Sequence, residues 1–82
     1  MAKVQKWAIE VNGEMHGVEY TPRKFFSKAS IKIDNKVYPL LSAKLFGSSQ
    51  EAFILGGERA AIMIDKRKHA TILVDNEKIK EI

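Results

Sequence analysis

No cysteine occurs among the 82 residues, which excludes disulfide staples, Cys-ligated zinc and thiol catalysis. Small secreted domains commonly need such staples, so their absence points to a cytoplasmic home. Proline is scarce: Pro22 and Pro39 are the only two. No apolar run approaches the roughly 18 residues that span a bilayer. The stretch Met1-Ala2-Lys3-Val4-Gln5-Lys6 also lacks the apolar core of a signal peptide. The expectation is a soluble protein without a membrane segment.

A hydrophobic fraction of 45% with 29% charged residues is ordinary for a folded domain, and the β-branched and aromatic residues spread along the whole chain argue against disorder. The length suits one domain, residues 1–82, burying about 60–65% of its unfolded surface. Fourteen Lys and Arg against ten acids give a net charge of +4, which permits an anionic partner without requiring one. The bases look scattered over strand faces and turns. Lysine at such positions also keeps small β proteins from pairing edge to edge, and that is the first reading of the surplus. Nucleic-acid binding is the second.

Three turn signals carry the fold: Asn12-Gly13, Asp34-Asn35 and Asp75-Asn76. Asn, Asp and Gly accept the positive φ that tight hairpins between twisted strands require. Apolar residues flank each turn at period two: Trp7, Ile9 and Val11; Ala29, Ile31 and Ile33; Ala70, Ile72 and Val74. Strands are predicted over 4–11, 15–21, 29–33, 36–41, 53–56, 69–74 and 78–82. Pro39 marks the 36–41 strand as an edge or a short pairing. Leu45 and Phe46 are apolar enough for a further short strand within 42–50, a stretch that composition leaves undecided. Residues 60–65 admit a short helix, because Glu58 to Ala61 are good helix formers. A strand with Ala60, Ile62 and Ile64 inward is preferred, with Lys66-Arg67-Lys68 as a charged hairpin loop. Seven or eight short strands at spacings near ten residues point to an all-β antiparallel sandwich joined by hairpins, or a barrel.

From Phe53 onward the chain resembles the Fas apoptotic inhibitory molecule family, in the C-terminal half of those proteins. The residues carrying the likeness are Phe53-Ile54-Leu55-Gly56, Lys66-Arg67-Lys68 and the run from Thr71 to Ile82, with Val74-Asp75-Asn76-Glu77 at its centre. It extends more weakly through Trp7, Asn12-Gly13 and the run Ile31 to Lys36. The resemblance implies a compact domain of antiparallel strands in two sheets, no enzymatic activity, and no catalytic or metal residues. Animal members are associated with protection from death-receptor signalling and with countering protein aggregation. They carry two such domains in tandem, whereas this chain has one.

No catalytic constellation assembles from the residue pattern. His16 and His69 each stand alone, and a metal site would need both brought together with Glu14 or Glu19. Ser27, Ser30, Ser42, Ser48 and Ser49 lack a nucleophile elbow. Gly56-Gly57 fits a hairpin turn better than a phosphate loop, since neither glycine fingerprint surrounds it. The chain is therefore read as a non-enzyme without a cofactor. The leading expectation is protein binding or self-association, with a strand edge near Pro39 offering backbone groups to a partner. The alternative is a nucleic-acid-binding barrel with Arg23, Lys24, Phe25 and Phe26 as a basic–aromatic patch, widened by Lys66, Arg67 and Lys68 if both loops share one end. Against that stands burial of both rings in the core.

Overall fold

In the computed structural model of the chain, residues 3–24, 27–41 and 47–82 are described. Eight strands form two antiparallel sheets packed as a sandwich. The first sheet runs β1 (Gln5–Val11), β2 (Glu14–Thr21), β3 (Ser30–Ile33) and β4 (Lys36–Pro39) in sequence order. The second follows with β5 (Ser49–Leu55), β6 (Glu58–Ile64), β7 (Ala70–Val74) and β8 (Glu77–Lys78). The helical alternative for 60–65 falls: that stretch is β6, with Ala60, Ile62 and Ile64 buried. The predicted strand at Leu45 and Phe46 lies outside the described residues.

Period-two patterning makes the interior. Along β1 burial alternates strictly, with Trp7, Ile9 and Val11 inside. Val18, Tyr20 and Ile31 join them from the same sheet, and Leu55, Ile62, Ile64 and Ile72 close from the other. Each large apolar side chain withdrawn from water contributes about 1.5–3 kcal/mol.

All four tight hairpins have positive φ at both central residues: Asn12-Gly13, Asp34-Asn35, Gly56-Gly57 and Asp75-Asn76. This is the type I′ geometry, whose twist matches that of the strands it joins. The turn after β5 is thus Gly56-Gly57, the hairpin turn read for the glycine pair, and β5 ends at Leu55, one residue before the predicted 53–56 strand does. All four lie at one end of the sandwich, where the Asn12 side chain donates to the Gly56 carbonyl at 3.3 Å.

The opposite end is held by Gln5, a polar residue at an inward position. Its Oε1 accepts from the Ala70 N–H at 2.7 Å, and its Nε2 donates to the Ala70 carbonyl at 2.9 Å and to Glu81 Oε1 at 3.0 Å. A side-chain amide thereby pairs with β7 as a backbone would, and it fixes β1 against the second sheet.

The largest departures in strand boundaries are at β5 and β8, and the strand predicted over 36–41 ends at Pro39. β5 begins at Ser49, four residues before the apolar signal at Phe53: burial alternates from its start, but Ser49, Gln50 and Glu51 are polar on both faces, so hydropathy does not reveal it. The strand expected over 78–82 ends at Lys78. Ile79 N–H still donates to the Ile72 carbonyl, but Ile82 N–H donates to the Lys6 carbonyl at 2.9 Å, so the tail crosses onto the β1 edge.

An internal repeat accompanies this architecture. Ala29-Ser30-Ile31-Lys32-Ile33-Asp34-Asn35 and Ala70-Thr71-Ile72-Leu73-Val74-Asp75-Asn76 occupy matching hairpins in the two sheets. The sandwich is built from two four-strand meanders, one after the other in sequence.

Gln5→Ala would leave the buried N–H and C=O of Ala70 unpaired. The expected cost is about 2–4 kcal/mol, read as a lower urea midpoint at unchanged slope.

Candidate functional site

The Gln5–Ala70 clamp decides where the loops go. Gln5 lies opposite Tyr20, one residue before β2 ends, and Ala70 begins β7. The 22–29 connection and the 65–69 loop therefore emerge at the same end of the sandwich. The sequence made its wider basic patch conditional on that coincidence, and the topology supplies it for Arg23, Lys24, Lys66, Arg67 and Lys68. Phe25 and Phe26 lie outside the described residues.

The charges that look scattered along the chain are segregated in space. The loop end carries Arg23, Lys24, Lys28, Lys66, Arg67 and Lys68 against Asp65 and Glu81, the latter held there by Gln5. The turn end carries Glu10, Glu14, Asp34, Glu58, Asp75 and Glu77 against Lys36, Arg59 and Lys78. The reason is local. Type I′ turns select Asp and Asn, and acids flank them, whereas the longer connections at the other end are built from Lys and Arg.

Asp65 stays ionised at neutral pH, and its carboxylate organises the loop. Oδ1 accepts from His69 N–H at 2.9 Å and Arg67 N–H at 2.8 Å, and those bonds, His69 foremost, hold its carboxyl below the usual carboxylate range. Lys68 takes positive φ to let the loop close.

At the turn end, His16 Nδ1–H donates to Asp34 Oδ2 at 2.6 Å, and Gly17 N–H donates to Oδ1 at 3.0 Å. The His16 bond, followed by that from Gly17, lowers the Asp34 carboxyl pKa. His16 Nε2 is buried without a hydrogen-bond partner under Gly56. A Cβ at Gly56 would stand 2.9 Å from that nitrogen and 3.1 Å from Val11 Cβ, so glycine is required there for close approach as well as for its φ. His69 lies at the other end of the sandwich. The two histidines are not brought together, and among the described residues no group of three or more His, Cys, Asp or Glu could hold a metal ion.

A third surface is apolar. β4 is exposed along its whole length, with Val37 64% and the following Leu41 78% accessible. Leu40 N–H donates to the Ala29 carbonyl, so by strand alternation Lys36 and Tyr38 also bond toward β3 while Val37 and Pro39 point their backbone groups outward. Pro39 has no N–H to waste there, as the edge assignment predicts. Beside this edge is a groove of ≈ 430 Å³ between the sheets, lined by Ile33, Tyr38, Leu41, Phe53 and Ile54. Sequence reasoning pointed to the edge through Pro39. It missed the groove, because the lining comes from strands of both halves.

No protein-family model, curated protein or solved structure matches the chain.

Tyr20 is fully buried and its hydroxyl has no hydrogen-bond partner. Burial, then the nearby Asp65 charge, pushes the phenol pKa up from 10.0 to about 12. Above pH 10 the unfolded chain releases this proton first, so stability falls as pH rises from 10 toward 12. Tyr20→Phe is expected to remove that alkaline loss and to raise stability at neutral pH by about 1 kcal/mol, both read from urea titrations across pH.

Proposed function

We propose that this chain is a non-catalytic binding domain of the Fas apoptotic inhibitory molecule type, working in the cytoplasm, which takes an extended protein segment along the outer edge of β4. The observation that carries this reading is the exposed edge itself. Among the described residues no hydrogen bond reaches the outward N–H and C=O of Val37, and the apolar groove runs beside them. Main-chain pairing at such an edge supplies affinity, and side chains entering the groove supply selectivity.

Charge segregation favours a second reading, in which the loop end binds single-stranded nucleic acid through its six bases. Phosphate contacts of that kind release counterions, so affinity falls linearly on a log–log plot by about 0.7 per contact.

Pull-down from lysate distinguishes these readings when wild type is compared with Val37→Pro, which removes the outward donor and leaves the bonds to β3 intact. Proteins recovered by wild type and lost with Val37→Pro, at unchanged melting temperature, are the expected result. Equal recovery by both, or none by wild type, overturns the edge reading. For the second reading, fluorescence polarisation of a single-stranded oligonucleotide should show binding at low salt. The salt slope should fall by about 0.7 for each of Lys66→Ala and Arg67→Ala. Absence of binding at low ionic strength overturns it.

A further inference from the structure

The outer faces of the two sheets differ in character. On the first, the central row is Lys6, Glu19 and Lys32, with Lys32 Nζ 3.3 Å from Glu19 Oε2. This is a solvated, ion-paired surface. On the second, the equivalent positions are Ala52, Ala61 and Leu73, flanked by Ile54 toward the turn end and Met63 toward the loop end. Ile54 is 65% accessible and Met63 is also exposed. A sheet with one face on the core ordinarily presents polar residues on the other. Here the middle of the second face is apolar across neighbouring strands, with Gln50 and Thr71 on its loop-end side and Arg59 and Lys78 at its turn end and edge, which marks a contact surface.

We infer that the outer face of the second sheet is the contact surface of a two-fold homodimer, in which two copies stack face to face with their strands antiparallel. Two independent features of the chain select a second copy in this orientation. The first is shape. Ile54 is exposed toward the turn end, while a depression of ≈ 680 Å³ lies toward the loop end, lined by Gln50, Met63, Thr71 and Leu73 on the face and by Asp65 and His69 beyond it. A two-fold axis lying in the interface and perpendicular to the strands places β5 over β5 of the partner in reverse. Each Ile54 then lies over Gln50 at the rim of the other copy's depression, and the small Ala52–Ala61 row meets itself and lets the sheets approach. The second feature is charge. Each copy is basic at its loop end and acidic at its turn end, so antiparallel stacking sets opposite poles together. Parallel stacking would set like poles together.

The face and the groove beside β4 share Ile54, but Met63 belongs to the face alone and Val37 to the β4 edge alone, so their variants separate the two readings. Light scattering at millimolar protein concentration is expected to give twice the monomer mass for wild type and Val37→Pro, and the monomer mass for Met63→Lys. The lysine points outward and leaves the core untouched, and retention of the melting temperature confirms that the variant folds. Orientation is read from a single added thiol in this cysteine-free chain. Ala52→Cys should cross-link to itself with a short bis-maleimide, because the axis crosses that row. A monomeric wild type, a dimer that survives Met63→Lys, or a dimer abolished by Val37→Pro overturns the proposal. So does cross-linking of Ala52→Cys only to Lys78→Cys in a mixture, which marks parallel stacking.

Discussion

Two hydrogen bonds between one side chain and one peptide unit set the frame of this molecule. Gln5 meets the N–H and C=O of Ala70 in the dry interior and so fixes how the two sheets face each other. With β1 and β7 starting together, every tight turn falls at one end and every longer connection at the other. At the turn end the fit is equally specific, because Gly56 lies against His16 and Val11 where a side chain has no room. The sandwich is thus pinned at both ends by polar and steric detail, and apolar burial fills the space between.

That frame converts sequence into a field. Residues chosen for backbone reasons, Asp and Asn in left-handed turns, bring acids with them, while the loops opposite are lysine- and arginine-rich. Neither group is remarkable where it occurs along the chain. Collected by the topology, they polarise the protein along its strands, and both charged-partner readings rest on that polarity.

Much of the architecture was legible in the sequence. Asn12-Gly13, Asp34-Asn35 and Asp75-Asn76 announced three of the four type I′ turns, and the alternation around Trp7, Ile31, Ile62 and Ile72 identified the core face of their strands. The start of β5 was not legible, because Ser49 to Ala52 form a half-exposed edge with no apolar rhythm. Gln5 was missed for a related reason: a glutamine at the head of a strand gives no sign that its amide will substitute for backbone pairing. The candidate surfaces were harder still. The groove beside β4 draws Ile33 and Tyr38 from one half and Phe53 and Ile54 from the other, and linear patterning cannot show such a juxtaposition. The basic loops were seen individually, but their convergence depends on the clamp.

The repeat of Ala29–Asn35 in Ala70–Asn76 belongs to a fold in which neither sheet borrows a strand from the other half. Every ladder pairs neighbours in the chain, so the entropy of loop closure is small for each and pairing does not wait on distant segments. This arrangement lets each meander settle its own alignment first. It leaves the meeting of the halves, where a glutamine must find one particular alanine, as the step that searches for a long-range partner.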